Sequence, residues 1–411
     1  MRQYIRRTLE DDILPVLHSP KALFILGARQ VGKTSLLKRL MDYVGVENSL
    51  LFDLEHPQLL LNFKQGIDEI VALFELNRPR KDGRLYVFID EIQYLDDFSH
   101  TIKYLVDHYA DKYKLIMSGS SSLLIKQQFS ESLVGRKQVF ELFPLSLSEF
   151  CLFKGEPRIA ELISEPFDAT KPDPLRVAKA KIQKLLTEYI IYGGYPEAAL
   201  SDSIPVKKSI LADVVSSYII KDIKHLFRIE KLEQFNHLVV YLSYHIGKEL
   251  NLTSVAKETG LHRETVKSHL NALNSAYVVS IIRPFYSNKP KELKKMPKVY
   301  FIDTGIRNSL INDFSPLQTR FDKGELFENY VLNQIRSRYK DNSGIRFWKT
   351  NDGKEIDFIV AIENGILAFE AKFGKSASNH FAAFTNAYPT TVCNTVRYSH
   401  ETSDRDLPAY F

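Results

Sequence analysis

The octapeptide Gly27-Ala28-Arg29-Gln30-Val31-Gly32-Lys33-Thr34 constrains this chain more than any other stretch. It matches G-x-x-x-x-G-K-[ST] in full, and its flanks decide what the match means. The apolar run at 22–27 reads as a strand, and 33–44 follows with helical periodicity. A strand, a glycine loop and a helix in this order turn backbone N–H groups and the positive helix end toward one point. That geometry suits a phosphate chain. Lys33 is expected to reach the β- and γ-phosphates, and the Thr34 hydroxyl to ligate Mg²⁺. ATP and Mg²⁺ are therefore the expected cofactors.

A second segment completes such a site. Leu85, Val87, Phe88 and Ile89 lead into Asp90-Glu91. Adjacent acids at the end of a buried strand are costly unless they are used, and ligands of open α/β sheets bind at that edge. Asp90 is expected in the Mg²⁺ shell, and Glu91 as the group that orients or activates the attacking water. The stretch 114–124 reads as another strand entering the same edge. Ser118 or Ser120 is a γ-phosphate sensor there, and a serine-rich helix cap is equally consistent. Arg136 is a candidate arginine finger or phosphate sensor, in cis or in trans, against the plain alternative of a surface arginine. Further strands are expected at 49–55 and 138–145, with helices at 56–75 and 96–109. The continuous apolar runs point to an α/β sheet covered on both faces.

In order along the chain stand GARQVGKTSLL, LYVFIDEIQYL, IMSGSSSLL, LVGRKQVFELFPLSLSEF, YGGYPEA and KVYFIDTGI. They resemble the bacterial and archaeal AAA+-like, STAND-type P-loop ATPases fused to an uncharacterised C-terminal domain with a restriction-endonuclease-like core. The resemblance implies ATP hydrolysis and a nuclease-like C-terminal domain, and four regions are expected along the chain: a P-loop ATPase core at 1–150, a helical lid at 151–246, a winged helix at 247–320 and a nuclease-like α/β domain at 321–411. Residues 177–191 and 206–246 read as long helices, and the acidic, proline-rich 165–174 as a loop. Tyr192–Ala198, with paired glycines before a proline, reads as a tight turn before a helix.

The segment 252–282 patterns as a helix-turn-helix with a following strand. Thr253 is the expected cap and Gly260 the turn, with 262–273 as the second helix. Val255, Ala256, Leu261, Val266, Leu270 and Leu273 fall at packing spacing. Arg263, Thr265, Lys267 and His269 are expected on the opposite face, suited to DNA phosphates or base edges. Five lysines within 289–298, against one glutamate, are expected on the wing. A structural or protein-binding winged helix is the competing reading.

Three elements near the C-terminus carry acids. Glu328 lies on an amphipathic helix, Asp357 in the strand-like KEIDFIVAI, and Glu370 and Lys372 in ILAFEAKFG. A turn at 363–365 pairs the two strands, and period two places Glu370 and Lys372 on one face. Asp357-x12-Glu370-x-Lys372 with a helical glutamate upstream resembles the PD-(D/E)xK nuclease pattern. Glu328, Asp357 and Glu370 are then metal ligands and Lys372 stabilises the developing charge. Two alternatives stand beside metal-dependent cleavage: a charged sheet edge, and an inactive nuclease-like scaffold in an ATP-dependent switch that docks a protein. Trp348 reads as core or site wall.

Bulk properties set the frame. The net charge of +5 permits DNA binding without demanding it. Two cysteines among 411 residues are too few for a disulfide framework, and the N-terminus lacks an apolar h-region. No apolar run long enough to span a membrane occurs. A cytoplasmic protein is expected, with ATP and DNA as partners and a homo-oligomer or protein partner also compatible.

Overall fold

The computed structural model describes residues 4–80, 82–120, 125, 133–165, 178–223, 227, 229–285, 295–339, 344–363, 365–374, 381–398 and 406–411. Three of the five wing lysines, Lys289, Lys291 and Lys294, and nearly all of the 165–174 loop lie outside them. The chain divides into two compact units, Met1–Phe143 with Ser275–Tyr277, and Pro144–Asn274 with Val278–Phe411.

In the first unit the expected runs become β1 (Ala22–Leu26), β2 (Ser49–Asp53), β3 (Leu85–Asp90), β4 (Tyr113–Gly119) and β5 (Lys137–Glu141). All neighbours pair in parallel, in the order β2-β3-β4-β1-β5. β1 and β4 are buried along their whole length, which explains why their sequences do not alternate. β5 ends earlier than its apolar run, where its partner β1 ends in the pair Leu26↔Glu141. Helix α1 (Lys33–Val44) follows the glycine loop and buries Leu36, Leu37 and Leu40. Gly32 starts it with φ 100°, in the left-handed region where a side chain is strained. Helices α2 (Pro57–Lys64), α3 (Ile67–Asn77) and α4 (Phe98–Tyr109) fill the crossovers. Parallel pairing has one consequence for function: the C-terminal ends of β1, β3 and β4 open on the same edge.

The second unit begins with helices and ends in a sheet. α5 (Lys179–Tyr192) and α6 (Ile204–Val214) precede a π-type turn at Val215–Asp222, and α7 (Leu232–Tyr244) follows. α6 runs on into the π-type stretch, and the single long helix expected at 206–246 is interrupted at 229–231, before α7. A π-type register adds a residue per turn and rotates the apolar stripe, so one continuous face does not persist. α8 (Leu252–Thr259) and α9 (Arg263–Ser275) are joined through Gly260 in the left-handed conformation, as the pattern implied. The cap differs: Asn251, not Thr253, accepts from the N–H groups of Thr253 and Ser254. Asparagine reaches two donors from outside the helix, whereas Thr253 is already inside it.

β6 (Val279–Pro284) and β7 (Lys298–Phe301) form an antiparallel hairpin. After α10 (Thr304–Leu310) and α11 (Lys323–Tyr339) come β8 (Arg346–Lys349), β9 (Glu355–Ile362), β10 (Gly365–Lys372), β11 (Thr391–Arg397) and β12 (Asp406–Pro408). The seven strands make one sheet ordered β12-β11-β10-β9-β8-β6-β7. The 279–301 hairpin and the C-terminal strands are thus continuous. β9 and β10 pair antiparallel from Gly365↔Ile362 to Phe369↔Phe358, as expected of the 363–365 turn. Trp348 packs edge-on to Phe384 in the core with Ile356, Ile359 and Ala368. Among the described residues, no helix is long and apolar enough to cross a membrane.

The two glycine motifs of the second unit explain each other. Asp303 caps α10 by accepting from Ile306 N at 2.9 Å, and its other oxygen accepts from Gly194 N at 2.7 Å. A Cβ on Gly193 would lie 2.1 Å from Asp303 Oδ1, and one on Gly305 2.1 Å from Tyr192 O. YGGYPEA and FIDTG are therefore two halves of one packed contact. Gly193 also has φ 75°. Gly193→Ala should cost more than about 1 kcal/mol, from backbone strain and from the clash with the cap. Urea unfolding should show a lower midpoint at unchanged slope, whereas Gly324→Ala, with open space at its Cβ, should not.

Candidate functional site

The open edge of the parallel sheet gathers the expected nucleotide residues. Thr34, the second residue of α1, donates from its hydroxyl to Asp90 Oδ2 at 2.6 Å. Ser118, near the end of β4, donates to the other oxygen of Asp90. The Glu91 N–H donates to the Ser118 hydroxyl oxygen at 3.2 Å. Ser118 is thus a brace between β3 and β4. Lys33 is buried, donates to Gly27 O at 3.1 Å and Ala28 O at 3.0 Å, and stands 3.6 Å from Glu91 Oε1.

Glu91 lies just past β3 with φ 54°, a conformation uncommon for residues other than glycine. Strained backbone of this kind concentrates at functional sites. Burial alone would raise its carboxyl, but the Lys33 charge, the Gln93 amide and Arg29 overcome this and hold it below the ordinary glutamate range. Glu91 is therefore ionised at neutral pH. Gln93 donates to Glu91 and to Ser120 Oγ at 3.0 Å, and accepts from Ser120 N at 3.3 Å. Ser120 also hydrogen-bonds the Glu91 carboxylate directly and helps hold it low.

These residues fit ATP with Mg²⁺. The N-terminus of α1 receives no side-chain cap, so its N–H groups are suited to phosphate oxygens. The Thr34 hydroxyl and Asp90 carboxylate are the hard oxygen donors that Mg²⁺ takes. Gly27 is held against β5, where a Cβ would lie 2.1 Å from Leu142 O. Gln30 adopts φ 62°, which curls the loop together with Gly32.

Residues 19–151 match the AAA domain family. That stretch contains the glycine loop, Asp90 and Glu91. Residues 183–317 match a domain of unknown function (DUF8612), and 323–409 another (DUF4143). An uncharacterized protein of Methanocaldococcus jannaschii is 27% identical over 366 residues, covering 88% of this chain and 76% of the relative. One of Haemophilus influenzae is 24% identical over 368 residues, covering 87% of this chain and 83% of the relative. A solved structure, the Thermotoga maritima RuvB Holliday junction branch migration motor, is 18% identical with a TM-score of 0.35, over 71% of this chain and 95% of that one.

Two features of the first unit depart from the sequence expectation. Arg136 is not at the nucleotide edge. Its carbonyl accepts from Ala22 N at the start of β1, and its guanidinium pairs with Asp107 at 2.5 Å. Because β1 and β5 run parallel, that start lies a full strand length from the glycine loop. Arg136 therefore belongs to the opposite edge and takes no part in its own chain's phosphate contacts. Arg7 was not expected at all. Its buried guanidinium donates to Val31 O in the glycine loop and to Phe143 O, each at 2.7 Å. Nothing in the composition of the N-terminal segment marks Arg7 above its neighbour Arg6.

On α9, Arg263 and Lys267 are exposed and Thr265 half-buried. His269 is not on that face. It is buried edge-on against Phe235, and burial lowers its imidazole below the usual range. Its position, three after Val266, belongs to the packed stripe.

The C-terminal acids sort differently from the expected triad. Lys298 is buried instead of displayed on a wing. It pairs with Glu328 at 3.3 Å and with Glu355, which also pairs with Lys349 at 3.2 Å. Burial alone would lower the Lys298 ammonium, but Glu328, Glu355 and Asp357 hold it above the ordinary lysine value. Tyr300 donates to Glu328. Asp357 accepts from Ala371 N at 2.8 Å. β9 carries a register shift against β8 between the Arg346 and Trp348 pairs, a bulge that re-aims the strand around Asp357. Glu370 is 1% exposed and faces Lys372 at 3.1 Å. Glu370 and Lys372 do share a face, but among the described residues no group of three His, Cys, Asp or Glu side chains could hold a metal ion. Glu328 and Glu355 gather around the Lys298 ammonium, whereas Glu370 pairs with Lys372.

Burial, with the Glu328 charge second, pushes the Asp357 carboxyl up to about 8. Its folded value lies above its unfolded value. The stability it contributes is full below the unfolded value and is lost as pH rises through about 8. Thermal midpoints should therefore fall between roughly pH 4 and pH 8 and level off above that, and Asp357→Asn should flatten that slope. An unchanged slope in the variant would assign the pH dependence elsewhere.

Proposed function

We propose that this chain is a Mg²⁺-dependent ATPase in which ATP turnover in the first unit switches a binding function of the second. The observation that carries the reading is the joining of Thr34 to Asp90 beside a Lys33–Glu91 pair at one sheet edge. The glycine-loop N–H groups at Gly27–Thr34 and the Lys33 ammonium bind and orient the phosphates. Mg²⁺, when bound at Thr34 and Asp90, would neutralise charge between the β- and γ-phosphates. Glu91, ionised and held by Gln93, orients a water and accepts its proton. The water oxygen forms the new bond to the γ-phosphorus, the bond to the bridging oxygen breaks, and ADP and phosphate result. Ser118 keeps Asp90 and the Glu91 backbone in register through this step.

Lys33→Ala should abolish ATP binding in calorimetry. Glu91→Gln should bind ATP with near-normal affinity and lose about 100-fold or more in kcat. Full turnover in Glu91→Gln would remove the assigned proton acceptor.

For the second unit, the buried Lys298 among Glu328, Glu355 and Asp357 favours a scaffold that binds without cutting. DNA is the partner we assign to α9, on the exposed Arg263 and Lys267 with Thr265 between them. Wild type should retain duplex DNA in a salt-dependent way, and Arg263→Ala/Lys267→Ala should weaken retention and reduce its salt slope by about 2. Plasmid should stay uncut with Mg²⁺ or Mn²⁺. Metal-dependent nicking that is lost in Asp357→Ala and Glu370→Ala/Lys372→Ala would instead establish cleavage.

A further inference from the structure

Transfer of a phosphoryl group places growing negative charge on the γ-phosphate oxygens and the bridging oxygen, and a positioned arginine is the usual means of offsetting it. Arg136 cannot supply that cation in cis, because it stands at the far edge of the sheet. The glycine loop carries another arginine. Arg29 lies two residues after Gly27 and four before Lys33, in the segment that Gln30 and Gly32 hold in left-handed conformations. Its guanidinium is mostly enclosed and donates to Glu55 Oε1 and to the Tyr94 hydroxyl, each at 2.8 Å. Glu55 follows the end of β2, and Tyr94 ends the short turn that starts at Glu91. Both partners sit at the edge where β1 and β3 open. Arg29 and Lys33 are the two cations whose charges act on Glu91. Arg29, Lys33 and Glu91 therefore share one electrostatic pocket, and the guanidinium spans its rim.

We infer that Arg29 is a built-in arginine finger: it leaves Glu55 and Tyr94 to meet the γ-phosphoryl group, so that the chain catalyses hydrolysis without an arginine from a second subunit. This rests on the ATPase reading above. Glu55 and Tyr94 act as its holder, keeping the fork ordered at the rim before ATP arrives. An arginine suits the role because its planar fork can bind two phosphate oxygens at once, which lysine cannot do. The competing account is that the Arg29–Glu55 pair merely stiffens the loop. The two accounts differ in sign at Glu55. If the pair is only a brace, breaking it from either side costs the same. If Arg29 is the finger, removing Glu55 spares or speeds turnover.

The test is steady-state ATP hydrolysis by the full chain with Mg²⁺, over a wide dilution series, for wild type, Arg29→Ala, Arg29→Lys, Glu55→Gln and Lys33→Ala, with circular dichroism on each. Arg29→Ala should lose about 100-fold or more in kcat with KM changed only a few-fold, and Arg29→Lys should recover part of the loss. Glu55→Gln should keep or raise kcat. Turnover per wild-type chain should stay constant on dilution. Equal kcat in wild type and Arg29→Ala overturns the inference and leaves the ATPase reading standing. Loss in Glu55→Gln matching that in Arg29→Ala, or turnover per chain that collapses on dilution, also overturns it. If Arg29→Ala does not fold, Arg29→Lys and Glu55→Gln decide by the same criteria. A folded wild type that hydrolyses no ATP, and behaves like Lys33→Ala, overturns the inference and the ATPase reading together.

Discussion

The Asp90 carboxylate holds the first unit's site together. One oxygen takes the Thr34 hydroxyl from α1 and the other takes the Ser118 hydroxyl from β4. Three separately folded pieces of chain therefore meet on one side chain. A buried carboxylate is expensive unless its lone pairs are used, and here two hydroxyl donors use them. The same arrangement positions Glu91, whose N–H is bonded to Ser118, so the group that orients water and the group suited to hold Mg²⁺ are placed by one constraint.

Around that point, cations decide how each acidic cluster behaves. At the nucleotide edge, Lys33 keeps Glu91 ionised despite burial. In the second unit, Lys298 lies among Glu328, Glu355 and Asp357, whose charges hold its ammonium above the ordinary lysine value. The two sites look alike as lists of residues, since each brings acids beside a lysine. They differ in what surrounds the lysine. Lys33 leans on carbonyls of a loop that opens at a sheet edge, whereas Lys298 is enclosed between carboxylates on a strand. An ammonium on an open loop can turn to a phosphate, while one locked between carboxylates serves as their counter-ion.

The second unit also shows how two short motifs can be a single feature. Gly193 and Gly194 admit the Asp303 carboxylate, and Gly305 admits the backbone at Tyr192. Each motif taken alone reads as an ordinary turn. Their spacing in sequence exceeds one hundred residues, and no local pattern links them.

Much of the first unit was legible in the sequence because local rules were enough. Continuous apolar runs marked the strands of the parallel sheet, and the Gly27–Thr34 pattern located the loop between β1 and α1. The same holds for the α8–Gly260–α9 pairing and for the β9–β10 hairpin, where turn chemistry and periodicity act over a few residues. What only tertiary structure decided was which charges face each other. Arg136 lies in a short basic stretch that could serve any surface, and only parallel pairing with β1 removed it to the far edge. Arg7 became a brace of the glycine loop because the N-terminal segment packs there, which no periodicity encodes. His269 joined the core, and Lys298 and Asp357 were drawn into one cluster by a bulge and by long-range pairing. The physical reason is range. Backbone conformation and burial stripes are set by neighbours along the chain, whereas the partner of a charge is set by which elements the whole fold brings together.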